Sequence, residues 1–188
     1  MKENVKVILD DYLKIFPKEK VRLTILENYI EKYKIEEIID WNNKDGHLTV
    51  GAFVYCKNED KFLVLYHKDL KMYLCPGGHV DKEDATLYDA SKRELKEETG
   101  LENLKVLLID NIVIPFDIDI HLIPFNKRIN MPEHYHFDFR YLFFINDITN
   151  IIIDEKESKG YKWVTSDQLV ENYGNIVEKN KRLHYVVS

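Results

Sequence analysis

Val5, Ile8, Leu9, Tyr12, Leu13 and Phe16 recur at helical spacing, and Pro17 closes the run, so the chain is predicted to open with an amphipathic helix. A second periodic stretch carries Val21, Thr24, Ile25, Ile30 and Tyr33 toward Trp41. Amphipathic helices ordinarily bury their apolar stripe, which predicts a helical extension over residues 1–45 packed on the main domain. A homodimer contact or a substrate-covering element is the alternative use of that stripe. Asn42-Asn43-Lys44-Asp45-Gly46 then breaks the pattern.

Strand-like sequence comes next. His47 to Lys57 and Lys61 to His67 are rich in Val, Phe, Leu and Tyr, with Asn58-Glu59-Asp60 as the turn of a hairpin. Tyr73-Leu74-Cys75 reads as a short strand that stops at Pro76-Gly77-Gly78, and a helix then runs to Gly100, well placed as a left-handed cap. Further strands are predicted from Lys105 to Ile114, from His136 to Ile145 and around Tyr161 to Val164. Pro115, Pro124 and Pro132 mark a long connection from Pro115 to Glu133, of the kind that often forms a lid. The tail after Thr165 is helical by pattern. Strands flanked by helices at both ends predict an α/β sandwich, in which residues 46–188 form one domain behind the helical extension.

Composition narrows the function. The 188 residues carry a formal net charge of −6 and no basic block, which disfavours a nucleic acid polymer as partner. Apolar runs such as Ile151-Ile152-Ile153 are too short to cross a bilayer, so no membrane segment is predicted. Met1-Lys2-Glu3-Asn4 leads into charged, helix-patterned sequence, and no secretory leader is expected. Cys56 and Cys75 fit no zinc or redox spacing and read as reduced thiols, which suits the cytoplasm.

The segment from Thr86 to Gly100 carries the chemistry. Thr86 and Asp89 make a capping box, so the helix is predicted to begin at Leu87. At 100° per residue, Leu87, Ala90, Ser91, Glu94 and Glu98 cluster on one side, with Glu97 at its edge. Asp89, Lys92 and Lys96 fall opposite and make the solvent face. Glutamates on an apolar side repel one another and lose hydration. Arg93 can pair with Glu97 one turn on, but one guanidinium does not neutralise three acids. A hard divalent cation with oxygen ligands does, and magnesium is the one usually paired with carboxylates and phosphates. Gly77-Gly78 just upstream lets backbone approach a metal or phosphate closely.

These residues resemble the Nudix box. Arg93-Glu94-Leu95-Lys96-Glu97-Glu98-Thr99-Gly100-Leu101 matches the second half of that pattern at every specified position. The first half departs from it: counting from Gly78 puts Asp84 where the family has Glu, and Arg93 arrives one residue late. A one-residue insertion around Asp81-Lys82-Glu83-Asp84 accounts for both. The resemblance implies a Nudix-type α/β/α sandwich around a mixed sheet. It implies that Glu94, Glu97 and Glu98 bind or organise magnesium, for which manganese can substitute, with the Gly77 carbonyl as a further ligand and Arg93 orienting the glutamates. Many members add an acidic ligand six residues before a strand tryptophan; here Glu157 precedes Trp163 by that interval, although it also reads as a plain loop acid.

The implied reaction is attack of water on phosphorus, cleaving a diphosphate linkage in a nucleotide-like small molecule, with Glu94 and Glu157 as candidate bases. His79, Lys127 and Arg128 are candidate phosphate contacts, weighed against an ordinary loop histidine and ordinary surface cations. His134 and His136 stand two apart on a strand and share a face that Asp138 continues. No cysteine or third histidine is near them in sequence, which favours packing or substrate contact over a metal pair. Two rival readings are an isopentenyl-diphosphate-isomerase-like enzyme, for which Cys75 would be the relevant thiol, and a non-catalytic Nudix-like binding domain, against which the retained carboxylates argue.

Overall fold

A computed structural model describes residues 2–127, 130–169 and 173. The chain opens with α1 (Lys2–Ile15), a 3₁₀ turn (Pro17–Glu19), α2 (Lys20–Lys32) and a single turn of helix, α3 (Ile35–Ile38). Strands β1 (Gly46–Cys56), β2 (Lys61–His67), β3 (Met72–Leu74) and β4 (Gly77–His79) come next, then α4 (Leu87–Thr99). The remaining strands are β5 (Lys105–Val106), β6 (Leu108–Ile109), β7 (Ile112–Val113), β8 (Asp117–Ile123), β9 (His134–Ile145) and β10 (Ser158–Thr165). The main sheet has eight strands in the order β10-β2-β1-β9-β5, with β3 on β2, β4 on β1 and β8 on β9; β6 and β7 pair separately. The α/β class and the N-terminal helices are therefore as predicted. Among the described residues no helix is long and apolar enough to cross a membrane.

Contacts divide the chain into two compact units. One comprises Met1–Gly51, Gly78–Ser91 and Leu108–Tyr141; the other comprises Ala52–Gly77, Lys92–Leu107 and Leu142–Ser188.

In the first unit, α1 buries Val5, Leu9, Tyr12 and Phe16 as its stripe predicts. Helix α2 buries Ile30 as predicted but otherwise presents a different face. Leu23, Leu26, Tyr29 and Ile30 are buried, whereas Val21 and Ile25 are 86% and 41% exposed. The buried stripe places Leu23, Leu26 and Ile30 at i, i+3 and i+7. Tyr29 also stacks on Phe137 at 4.4 Å and donates its hydroxyl hydrogen to the carbonyl of Gly46. The helix stops short of Trp41 because Tyr33 is extended (φ −108°, ψ 154°), and α3 restarts with the Lys34 amide donating to Glu37 Oε2 at 2.8 Å.

The segment predicted as a long loop contains a seven-residue strand. β8 pairs with β9 antiparallel from Asp117↔Arg140 to Ile123↔His134. Its residues Asp117-Ile118-Asp119-Ile120-His121-Leu122 alternate polar and apolar, the period of a strand, and the acids have a structural use. Arg140 donates from Nη1 to Asp117 (3.1 Å), from Nη2 to Asp119 (2.9 Å) and from Nε to Asp138 (2.7 Å). Gly51 leaves room for its stem: a Cβ there would lie 3.0 Å from Arg140 Cγ. The lid reading of Pro115 to Glu133 thus contracts to a hairpin end, bridged by Asn126 and Met131. The strand predicted from Lys105 to Ile114 is also interrupted, because Asp110 and Asn111 adopt positive φ (52° and 63°) and turn β6 into β7.

In the second unit, β2 is central, paired with β10 and β3, and β5 pairs with the end of β9. Phe53, Phe62, Leu63, Leu95 and Phe143 are buried.

Candidate functional site

Local sequence sets α4. Thr86 Oγ1 accepts from the Asp89 amide at 3.0 Å and donates to Asp89 Oδ2 at 2.8 Å, so the helix begins at Leu87 as the capping box predicts. Asp89 is engaged by this cap rather than simply solvated. At the other end Gly100 takes φ +70°, the left-handed cap, and its amide donates to the Lys96 carbonyl at 2.9 Å. Upstream, Asp84 Oδ2 accepts from the Asp81 amide at 2.8 Å, so the aspartate at the displaced acid position ties its own loop.

The glutamates of the second unit divide by exposure. The Glu94 side chain is 13% exposed, whereas that of Glu97 is 58% exposed. Arg93 Nη1 bridges them, at 2.9 Å from Glu94 Oε1 and 3.1 Å from Glu97 Oε2. Glu98 is half-buried, and its Oε2 accepts from the Gly77 amide at 3.4 Å. Gly77 itself comes after a loop anchored by the Ala52 amide on the Pro76 carbonyl at 2.8 Å.

Glu157 reaches the same group through backbone stitching. The Ile152 amide donates to the Thr99 carbonyl (3.0 Å) and the Asp154 amide to the Glu98 carbonyl (3.3 Å), laying this segment along the end of α4. A turn then closes with the Glu157 and Ser158 amides on the Asp154 carbonyl at 3.2 and 2.9 Å. Glu157 meets Glu98 side chain to side chain.

Burial pushes the Glu98 carboxyl up to about 8, reinforced by the negative charges of Glu94 and Glu157 and opposed by the Gly77 amide. Burial likewise raises Glu94 to about 7; Arg93 offsets part of this, while Glu97 and Glu157 add to it. Among the described residues, Arg93 is the cation paired with these glutamates. The donor set is oxygen throughout, and its charge exceeds what one guanidinium neutralises. Such a set fits a hard divalent cation of the magnesium class. An uncompensated cluster of this kind is also where protons can be taken up near neutral pH.

The other predicted residues belong to the first unit or lie outside the description. Lys127 is exposed in the turn between Asn126 and Met131, and Arg128 lies outside the described residues. His79 ends β4, and its Nε2 lies 3.1 Å from Nε2 of His47. His47 itself carried no signal in the sequence, standing alone at the start of a strand. His136 joins the pair, with ring centroids 4.5 Å from His47 and 5.8 Å from His79. The third histidine absent from the sequence neighbourhood of His134 and His136 is therefore supplied through space by β1 and β4.

The NUDIX domain profile matches residues 46–184, and the chain belongs to that family. A curated relative, the "Probable DHNTP pyrophosphohydrolase" of Lactococcus lactis subsp. cremoris (strain MG1363), is 37% identical over 100 residues. That match covers 53% of this chain and 55% of the relative, so it spans about half of the relative's length. Among solved structures, a NUDIX-family hydrolase from Clostridium perfringens is similar with a TM-score of 0.53 and 27% identity, covering 76% of this chain and 98% of that one. An Ap4A hydrolase of C. elegans, solved as a binary complex, shares the fold with a TM-score of 0.55 at 17% identity, covering 73% and 97%.

Proposed function

We propose that this chain is a magnesium-dependent hydrolase that cleaves a diphosphate linkage in a nucleoside diphosphate derivative or related nucleotide. The observation that carries this reading is the convergence of Glu94, Glu98 and Glu157, with two carboxyls raised toward neutrality and a single paired arginine beside them. Membership of the NUDIX family and a relative named as a pyrophosphohydrolase support it. Glu98, Glu94, Glu97 and Glu157 would hold the cation together with the Gly77 carbonyl, and Arg93 would orient Glu94 and Glu97. Magnesium or manganese bound there supplies charge neutralisation on the phosphoryl oxygens and makes water more acidic.

The chain's own residues do the rest. Glu94 or Glu157 accepts the proton of the attacking water as its oxygen bonds to phosphorus. The bridging P–O bond breaks, and the phosphate-bearing leaving group departs with the electron pair. Arg93 keeps Glu94 aligned, and the exposed Lys127 is proposed to meet substrate phosphate. The domain boundary is proposed at residues 45 and 46, where the family match begins. A cytoplasmic setting, consistent with free Cys56 and Cys75, belongs to the same proposal.

The test is a product assay with magnesium across nucleoside triphosphates, dinucleoside polyphosphates, nucleotide sugars and DHNTP. Metal-dependent release of a phosphate-containing product is expected. Full turnover in excess chelator, with metal shown to be absent, would overturn the metal assignment; double-bond migration without hydrolysis would favour the isomerase-like alternative.

A further inference from the structure

A second, chemically different group of ligands occupies the first unit. His47 on β1, His79 on β4 and His136 on β9 offer ring nitrogens that all lie within 4.8 Å of one another. We propose that these three histidines form a site for a transition-metal cation of the zinc class. The inference does not depend on the hydrolase reading, because it uses none of the carboxylates.

Distances support a shared ion. Two nitrogens bound to one tetrahedral zinc at about 2.0–2.1 Å stand about 3.3 Å apart. The His47 and His79 Nε2 atoms are 3.1 Å apart, close to that edge. From the 4.8 Å within which all three nitrogens lie, His136 has to draw in by at most about 1.5 Å to reach that edge, within reach of a side-chain torsion.

Burial supports it independently. His47 is 1% exposed, and its Nδ1 has no hydrogen-bond partner among the described residues. A buried polar nitrogen without a partner is costly, and the ring that carries it touches those of His79, His134 and His136. The neighbours hold the rings in place. His134 Nδ1 is 2.8 Å from the Pro132 carbonyl, and its ring stacks on His47 at 5.1 Å. His121, 3.0 Å from Asp119 Oδ2, sets its ring edge against His136 at 5.4 Å. A carboxylate behind a histidine at the margin of a metal site is a common means of fixing ring orientation.

The donor chemistry selects the metal. Neutral imidazoles suit zinc, cobalt, nickel or copper, whereas magnesium prefers oxygen. His79 is exposed and gives the ion a way in. Three protein nitrogens leave a fourth position for water or an anionic oxygen.

The experiment uses the full chain stripped with chelator and titrated with Zn²⁺ or Co²⁺ under excess Mg²⁺, which occupies the oxygen ligands. One equivalent should bind and survive gel filtration, and cobalt should give the strong visible absorption of a tetrahedral site. His79→Gln and His136→Gln should each weaken binding by at least about 10-fold, the lower end of what even outlying partners of a metal ligand contribute. Glu98→Gln should bind zinc normally. No stoichiometric uptake, or uptake unchanged by both histidine substitutions, would overturn the proposal. Should His136→Gln fail to fold, the exposed His79→Gln decides alone. Loss of magnesium-dependent turnover in Glu98→Gln with zinc binding intact keeps the two readings separable.

Discussion

Two groups of carboxylates, three aspartates and four glutamates, fold into this chain, and burial has opposite outcomes in them. Asp117, Asp119 and Asp138 surround Arg140, which donates to all three from different nitrogens. Burial by itself would raise the Asp119 carboxyl, but the bond to His121 and the positive charges of Arg140, His121 and Arg22 outweigh it and hold the group well below the usual carboxylate range. In the other group Arg93 pairs with Glu94 and Glu97, burial dominates, and Glu94 and Glu98 rise toward neutrality. The residue chemistry is similar; the difference is whether the chain supplies enough positive charge of its own. The aspartates form a finished structural joint. The glutamates are left short of positive charge, which is where we propose that a diffusible cation binds.

The largest effect should come from removing the built-in cation. Arg140→Met leaves buried acids without their main partner and should destabilise the protein by about 3–5 kcal/mol. Urea unfolding at neutral pH measures it; a loss below about 1 kcal/mol would mean that the joint contributes no more than a surface pair.

Next comes Glu98→Gln, which keeps size but removes a buried carboxyl that must hold a proton or meet a cation. Turnover should fall by about 10²-fold or more, while metal-free melting temperature should rise because folding no longer has to raise that carboxyl against burial and the charges of Glu94 and Glu157. Near-normal turnover would dismiss the helix as the metal site. A lower melting temperature would make Glu98 structural.

The third test is pH. A carboxyl whose folded value is raised stays protonated in the fold where the unfolded chain has already lost the proton. Metal-free stability should therefore fall as pH rises from the ordinary glutamate range through about 7 and 8, the values of Glu94 and Glu98. Asp119, held low, works the other way: its contribution is present above the usual aspartate value and is lost as acid protonates it. Saturating magnesium should flatten the slope between about pH 5 and 8, as seen in denaturant midpoints. An equal slope with and without metal would contradict the comparison.

The smallest effects lie outside both groups. Lys127→Ala should raise KM by less than about 10-fold, a difference under about 1.4 kcal/mol, with kcat retained. Lys96 pairs with Glu102 on an exposed surface, and Lys96→Gln should change stability by less than about 1 kcal/mol and turnover not at all.

How legible each group was in the sequence depends on the range of its contacts. Glu94, Glu97 and Glu98 lie within five consecutive residues of one helix, so angular arithmetic finds their common side and puts Glu97 at its edge, where it is exposed while Glu98 is half-buried. Glu157 was reachable through its offset from Trp163. Strand β8 was hidden because Asp117 and Asp119 look like loop residues until Arg140 is seen across the register. The wrong side of α2 was chosen because Val21 and Ile25 fit a helical stripe as well as Leu23 and Leu26 do. Of the histidine group, His134 and His136 could be read as sharing one face and His79 as a separate loop contact, but their union with His47 could not, since three strands deliver the ligands from separate parts of the chain.

The Thr86 cap has a consequence for how this helix tolerates change in length. The loop before it closes in a turn in which Asp84 bonds back to Asp81 through both side chain and amide. The cap then restarts the helix from a fixed point, so residues inserted upstream add slack but do not rotate the side chains of α4. One residue inserted after Thr86 would turn every later side chain by about 100° and carry Glu94 and Glu98 off their common side. Insertions and deletions should therefore drift freely on one side of a single hydroxyl and be forbidden on the other.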